Sequence, residues 1–550
     1  MDKRILVVIP ARGGSKGIPS KNVRLMCGRP LISYAIKNAI GLSKKYIVDT
    51  VVDTDSEEIA DISLDEGIDV VMRPTELGGD NITLDPVVHH AMCKMEARKG
   101  YRYDIIITMQ PTSPTLKSQT IINALDYFVK HECDTLISGK NSPHLSWKYE
   151  KGKTVPNYEK RVNRQQLPPY LMETGGFLIT KREFITENNR LGQKTEVYEV
   201  PEEESIDIDT ELDWKACETV LSAKRILLRA DGEEQLGMGH IYRTISLAHH
   251  LIGHKILFVT KKSCELGVNK IIDSNFDYSL IENEEDIFKI IADFKPNIVV
   301  NDILNVPYSH MEKLKERVDR IVNFEDNGEG AKLADGVINA LYESVGEKNV
   351  YSGFRYFFIR DEFITANPKA FSEEVRNIVV LFGGSDPSNL TQKTYDVLQK
   401  ISENHPQIEF HIITGFGYKY KNAIIDDSRH QIFVHNDVKR VSKFLQKADL
   451  VITSQGRTIF EVASMGVPAV VIAQNEREMA HSFAGFENGF INLGLGRALD
   501  SENLLSTIEW LIKASNVRRQ MHDLMVQKDY IGGQNRVIRL ILGDADEEYI

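Results

Sequence analysis

The sequence predicts an α/β protein of parallel sheets covered by helices. Three observations carry that prediction. Short runs rich in Val and Ile recur along the whole chain, among them "RILVVIP", "DTVVDT", "YDIIITMQ", "RILLRA", "KILFVT", "PNIVVND", "NIVVLFGG", "FHIIT" and "ADLVITS". Each is apolar at successive positions, which suits strands buried on both faces. Helical stretches separate the runs. At 550 residues the chain exceeds what one core serves, and a prior of about 150 residues per domain gives three or four. "TELDWKACETVLSAK" reads as an amphipathic helix, after which "RILLRADG" starts a fresh strand–turn–helix unit, so a boundary falls at 223/224. A second falls at 370/371, where "TANPKAFSEEVRN" leads into "IVVLFGGSD". The expected domains are 1–223, 224–370 and 371–550, the last two being similar lobes, and "DADEEYI" at the end reads as an acidic tail.

Composition narrows the function classes. The chain is 42% hydrophobic and 27% charged, with a net charge of −12, which argues against a general nucleic-acid binder. No apolar run approaches the ~20 residues of a membrane helix, and "MDKRILVVIP" lacks a signal-peptide core, so no membrane contact is expected. Five cysteines stand at 27, 93, 133, 217 and 264 without C-x-x-C spacing. An odd, scattered set fits buried structural thiols in a reducing cytoplasm.

The first element, "VVIPARGGSKGIPSKN", runs from a buried strand into a turn with Gly13, Gly14 and Gly17. Glycines let backbone N–H groups approach a phosphate, and Arg12, Lys16 and Lys21 add charge suited to a triphosphate. The turn is neither a Walker A motif nor a Rossmann GxGxxG. Asp207 and Asp209, at i and i+2 in "SIDIDTELD", share one face if the segment is a strand. They read either as an exposed acidic strand or as a pair holding Mg²⁺ with phosphate oxygens.

The stretch 9–22 resembles the signature of sugar-activating cytidylyltransferases, the CMP-sialic acid synthetases. "KNVRLMCGRPLISYAIKNA", "TDSEEIA", "RPTELGGDN", "MQPTSP", "RQQLPPY" and "SIDIDTELD" continue the pattern in order over residues 4–220. The resemblance implies a Rossmann-like nucleotidyltransferase joining CTP to a nonulosonic acid, with CMP-sugar and pyrophosphate as products. It places Arg12, Gly13, Gly14, Ser15, Lys16, Lys21 and Asn22 around the triphosphate, with Arg73 and Thr83 at the nucleotide. Arg12 and Lys21 are the catalytic candidates, Lys21 neutralising the departing pyrophosphate. Gln110 is the expected sugar contact. Arg164 reads equally as partner of the sugar carboxylate and as a surface-loop arginine. Asp207 and Asp209 become the Mg²⁺ site. Homodimers are common in this family. "METGGFLIT" at 172–180 departs from the family pattern, where many members have a Tyr-bearing strand.

The second half opens on "RADGEEQLGMGHIYR", a glycine turn that presents His240 behind Gly239 at a helix start. Histidine exchanges a proton near neutral pH, so His240 reads as a general base or as a structural hydrogen-bonding histidine. The segment, with "NIVVLFGGSDPSNLTQKTYDVL" and "ADLVITSQGRTIFEVASMGVPAVVIAQNEREMAHSF", resembles the UDP-sugar hydrolases of pseudaminic acid biosynthesis and related spore-coat polysaccharide proteins over about 225–540. The resemblance implies a two-lobed GT-B architecture, with His240 activating water against a UDP-2,4-diacetamido-trideoxy sugar. Gly239, Gly383, Ser385, Thr458, Glu461 and Asn475 are the UDP-sugar candidates, Thr458 at phosphate, Glu461 at ribose and Asn475 at the sugar. No cofactor is expected in this half. Two departures stand out: "DILNVPY" puts Leu304 where the hydrolases have a Tyr, unless Tyr308 moves in, and Gln455-Gly456 replaces Gly-Gly.

Together the halves read as a bifunctional cytoplasmic enzyme of nonulosonic acid biosynthesis that takes CTP, a nonulosonic acid and a UDP-sugar. The alternatives for the second half are a GT-B glycosyltransferase and a non-catalytic nucleotide-sugar-binding or oligomerising module.

Overall fold

The run "RILVVIP" becomes strand β1 (Arg4–Pro10), whose Leu6–Ile9 are fully buried because sheet neighbours flank it and helices cover both faces. The computed structural model describes residues 3–14, 17–79, 81–233, 238–342, 348–415 and 417–544. Ser15 and Lys16, residues 234–237 of the central glycine turn and all but the first residue of the acidic tail lie outside them. The chain divides into two compact units, Met1–Ala223 and Lys224–Ile550.

Unit 1 holds a seven-stranded sheet. After β1 come β2 (Ile47–Thr54), β3 (Asp69–Met72), β4 (Ile105–Met109), β5 (Thr135–Asn141), β6 (Leu171–Lys181) and β7 (Thr195–Glu199), in the spatial order β7-β5-β6-β4-β1-β2-β3. β6 runs antiparallel to β4 and β5, and the other pairs are parallel. The order reverses between β1 and β4. Loops leaving their carboxyl ends diverge there and open a crevice, as in other Rossmann-like sheets. The helices α1 (Leu31–Leu42), α2 (Leu84–Lys99) and α3 (Glu211–Leu221) belong to this unit; α3 starts at a Thr210–Asp213 capping box.

Unit 2 carries two all-parallel sheets. The first lobe contains β8 (Arg225–Ala230), β9 (Lys255–Lys261), β10 (Tyr278–Ile281), β11 (Ile298–Asp302), β12 (Arg320–Phe324), β13 (Gly336–Asn339) and β14 (Val350–Ser352), ordered β10-β9-β8-β11-β12-β13-β14. The second contains β15 (Asn377–Leu381), β16 (Glu409–Thr414), β17 (Ile432–Asn436), β18 (Leu450–Ser454), β19 (Ala469–Ala473) and β20 (Phe490–Leu495), ordered β17-β16-β15-β18-β19-β20. Each lobe has its own switch point, β8/β11 and β15/β18. Helix α4 (Gly239–His250) follows β8, and α5 (Thr458–Ser464) follows β18. This is a GT-B arrangement of two Rossmann-like lobes.

Three sequence expectations need correction. The span 371–550 is not one lobe. The last helix, α6 (Gly533–Leu542), crosses back to the first, where Val537, Leu540 and Ile541 pack with Ile226 and Leu228, and Arg320 donates to the Leu540 carbonyl at 2.6 Å. Its apolar face matches the first sheet, which decides where it docks. Asp207 and Asp209 are not on a strand; they lie in irregular backbone between the 3-10 turn Glu202–Glu204 and α3. Of the five thiols only Cys133, Cys217 and Cys264 are buried, whereas Cys27 and Cys93 are exposed.

The second lobe's core is aromatic where it meets the connection from the first. Phe460 on α5 is fully buried and stacks on Phe357 at 4.2 Å and Phe483 at 4.5 Å between centroids. Truncating a ring so enclosed leaves a cavity that the neighbouring rings cannot collapse to fill. Phe460→Ala is therefore expected to destabilise unit 2 by about 3–5 kcal/mol, read as a drop in the urea midpoint of its unfolding transition.

Candidate functional sites

Unit 1 has a cavity of about 280 Å³ at the β1/β4 switch point. Its walls include Arg12, Gly14, Lys21, Asn22, Arg73, Gln110, Asp207 and Asp209. The glycine turn is braced by two side chains. The Gly13 N–H donates to Asp55 Oδ1 at 2.8 Å, and Asn22 Nδ2 donates to the Arg12 carbonyl at 2.9 Å. Gly13 thus faces the Ser56 side, and Gly14 faces open space. Arg73 is buried and aimed by Asp53, through Nε to Oδ1 at 2.5 Å and Nη2 to the backbone carbonyl at 2.9 Å. His90 Nδ1 lies 3.2 Å from the other Asp53 oxygen.

The opposite wall is anionic. Lys21 Nζ donates to the Ile208 carbonyl at 2.6 Å, between the two aspartates. Burial lowers the Lys21 pKa, and Asp209 and Asp207 offset part of that effect. Burial pushes the Asp207 carboxyl above the usual carboxylate range. Its Oδ1 is shielded and has no hydrogen-bond partner. Gly175 makes this approach possible. It has φ +67°, and a Cβ there would stand 2.8 Å from Asp207 Oδ2. The departure "METGGFLIT" is thus a β-bulge between Glu173 and Leu178 that lets β6 pass the carboxylate.

Besides Gly13, whose N–H is taken by Asp55 and which does not line the cavity, two candidates do not join it. Thr83 is the exposed N-cap position of α2, and Arg164 sits in an exposed 3-10 turn. Both are polar because they stand at a helix start and on a surface turn. Ser15 and Lys16 lie outside the described residues.

Unit 2 has a larger cavity, about 730 Å³, between its lobes. Gly239, Tyr242, Arg243 and Arg360 line one side; Gly383, Ser385, Arg457, Thr458 and Glu461 line the other. Gly383 has φ +79°, a backbone open to glycine at little cost, and turns "FGGSD" toward the cavity. Buried Asp386 fixes that turn by accepting from the backbone N–H groups of Leu390 and Thr391 and from Gln474 Nε2. Glu461 is clamped by Arg360, Nε to Oε1 at 2.6 Å and Nη2 to Oε2 at 2.9 Å, which leaves Glu461 less available for a ribose than expected. Asn475 is not on the cavity. It caps the short helix Glu476–Met479, accepting from the Glu478 N–H at 3.0 Å. Leu304 and Tyr308 do not line the cavity, and neither does His240 itself, although Gly239, Tyr242 and Arg243 of the same helix do. Gln455, standing in place of a glycine, braces the loops by donating to the His481 carbonyl and accepting from Asn492.

His240, at the second position of α4, is partnered by a residue that sequence reasoning did not single out. Its Nδ1 lies 2.7 Å from Asp302 Oδ1, at the carboxyl end of β11. Arg243, one turn along α4, also grips Asp302, with Nε donating to Oδ2 at 2.7 Å. Arg243 Nη1 donates to Glu325 Oε1 at 2.6 Å, and Arg457 Nη2 donates to Glu325 Oε2 at 2.8 Å. Burial alone would raise Asp302, but Arg243 and His240 hold it down to about 2. Arg243 and Arg457 likewise hold Glu325 well below the usual carboxylate range against its burial. An ionised Asp302 at Nδ1 fixes the proton there and leaves Nε2 as a proton acceptor, the arrangement of a general base with an orienting carboxylate. The sequence shows the pieces but not their meeting: Arg243 is three residues after His240, hence on one helix face, and "IVVND" ends a buried strand in a carboxylate.

Among the described residues, no helix is long and apolar enough to cross a membrane, and no group of three His, Cys, Asp or Glu side chains could hold a metal ion.

Comparison with known proteins divides the chain in the same places as the cavities. Residues 6–222 match the family model described as Cytidylyltransferase, and 378–524 match that described as Glycosyltransferase family 28 C-terminal domain. N-acylneuraminate cytidylyltransferase A of Danio rerio is 34% identical over 225 residues, 39% of this chain and 50% of that protein. Post-translational flagellin modification protein B of Campylobacter coli is 31% identical over 229 residues, 40% of this chain and 97% of that protein. Spore coat polysaccharide biosynthesis protein SpsG of Bacillus subtilis is 25% identical over 307 residues, 53% of this chain and 90% of that protein. The chain spans about half the length of several curated relatives, the Danio rerio protein among them. With the flagellin modification protein matched over nearly its whole length, the chain belongs, through residues 6–222, to the cytidylyltransferase family.

Proposed function

We propose that the protein carries two reactions, one in each unit. Unit 1 joins CTP to a nonulosonic acid. The anomeric hydroxyl attacks the α-phosphorus, the bond to the β-phosphate breaks, and pyrophosphate leaves. The observation that carries this reading is the juxtaposition of Arg12, Lys21, Arg73 and Gln110 around one switch-point cavity, in a chain similar to an N-acylneuraminate cytidylyltransferase. Catalysis of phosphoryl transfer is largely positioning and charge neutralisation, and these side chains supply both. Asp207 and Asp209 fit a divalent cation. They share a wall of the cavity, and Asp207 Oδ1 is a buried acceptor without a partner. Phosphate oxygens and water would complete the shell, and bound Mg²⁺ would supply positive charge to the phosphates.

Unit 2 takes a nucleotide-diphosphate sugar, with UDP the nucleotide proposed. The match to the glycosyltransferase family 28 C-terminal domain favours glycosyl transfer to an acceptor over hydrolysis as its reaction. His240 Nε2 takes the proton of the acceptor hydroxyl, the acceptor oxygen bonds to the anomeric carbon, and the bond to the diphosphate breaks, UDP leaving with the electron pair. Hydrolysis is the second reading, since the His240–Asp302 pair serves water as well as an alcohol. UDP release from a UDP-2,4-diacetamido-trideoxy sugar, with and without a nonulosonic acid or oligosaccharide acceptor, separates them. Acceptor-dependent release is the expected result. Full release without acceptor establishes the hydrolase, and UDP-sugar binding without release leaves a binding module. The free thiols fit a cytoplasmic setting for both reactions.

A further inference from the structure

Glu325 occupies an unusual position. It follows β12 with φ +50°, a left-handed conformation that a Glu adopts at a cost, and it is almost completely buried. Its two carboxylate oxygens are divided between lobes, Oε1 accepting from Arg243 of the first and Oε2 from Arg457 of the second. Arg457 stands on the cavity wall, immediately before α5. Its Nη1 is shielded from solvent and has no hydrogen-bond partner, although it lies close to Gly239, where a Cβ would be 3.2 Å away. A buried guanidinium N–H left unpaired costs free energy unless a ligand completes it.

The charges sum in an informative way. Arg243 and Arg457 are balanced by Asp302 and Glu325 when His240 is neutral. An anion arriving at Arg457 Nη1 upsets that balance, and an imidazolium at His240 restores it. A leaving group that gains negative charge as the base gains its proton satisfies both ends of the network at once.

We propose that Glu325 is a positioning residue that holds Arg457 across the cleft so that Nη1 meets the diphosphate of the donor, and that ties this contact through Arg243 and Asp302 to His240. The proposal rests on the reading of unit 2 as a nucleotide-diphosphate-sugar site. Burial and backbone strain at Glu325 are then the cost of bringing residues 240, 302, 325 and 457 to one place.

The test uses the full-length protein, with UDP and uridine as probes in calorimetry. Glu325→Gln and Arg457→Gln are each expected to weaken UDP binding about tenfold and leave uridine affinity unchanged, because only the phosphate contact is lost. The double variant is expected to bind UDP no worse than the weaker single one, since each substitution breaks the same strap. Glu325→Asp should restore part of the loss. Wild-type UDP affinity in Glu325→Gln, additive losses in the double variant, or an equal loss of uridine binding would each overturn the strap while leaving the donor-site reading in place. A wild type that binds no UDP would overturn that reading itself, and the proposal with it.

Discussion

Asp302→Asn is expected to slow UDP release by unit 2 about 10²–10⁴-fold, the range that a correctly placed general base contributes. Asp302 accepts from His240 Nδ1 and so fixes which nitrogen carries the proton. An asparagine at the same place can present its amide N–H to Nδ1. The imidazole then carries its proton on Nε2 and has no basic nitrogen to offer an acceptor. Asp302 also accepts from Arg243 through both of its oxygens, so the substitution weakens that buried pair as well, and Arg243 is left with Glu325 as its carboxylate partner. UDP binding by the same variant in calorimetry is the control for a folded unit 2, because CMP-sugar formation reports only unit 1. His240→Ala should fall to a similar residual rate, and the double variant should fall no further, because the two residues act as one unit. A rate for Asp302→Asn within a few-fold of wild type would remove His240 from the role of base.

The sheets were legible in the sequence because parallel strands buried on both faces cannot disguise their composition. "RILLRA" coincides with strand Arg225–Ala230, and "NIVVLFGG" breaks after Leu381, one residue before the glycines begin. The glycine turns were legible too, being contiguous stretches whose backbone freedom and charge stand side by side. What the sequence hid is the meeting of residues far apart. Asp302 reaches His240 across 62 positions, and Arg457 reaches Glu325 across 132. Each contact depends on the order of strands after crossovers and on the second lobe facing the first. Thr83, Arg164 and Asn475 mislead for the opposite reason. Caps and surface turns select the same small polar and basic residues that ligand sites use, so local chemistry alone does not separate them. The bulge at Gly175 shows a third case: a glycine whose need is set by a carboxylate 32 positions later, as the distance between Gly175 and Asp207 makes plain.

Lys21→Ala is expected to lower kcat for CMP-sugar formation by about 10²–10³-fold, the loss typical of removing one charge-stabilising group from a preorganised site. The size of that loss follows from where Lys21 sits. Its ammonium is half-buried, fixed by the Ile208 carbonyl at 2.6 Å and flanked by Asp207 and Asp209. A cation so held is already oriented before substrate binds, so it costs no reorganisation when the pyrophosphate charge develops. The ratio of effects on kcat and KM decides what it does. Stabilisation of the departing pyrophosphate lowers kcat and kcat/KM together, whereas simple attraction of CTP would raise KM and leave kcat alone. Pyrophosphate release measured at several CTP concentrations separates the two. Lys21→Arg keeps the charge but is bulkier, planar and forked, so it should recover only part of the rate. A raised KM with unchanged kcat would reassign Lys21 to holding CTP in the ground state, and leave Arg12, on the same wall-to-wall cavity, as the residue to test for the developing charge.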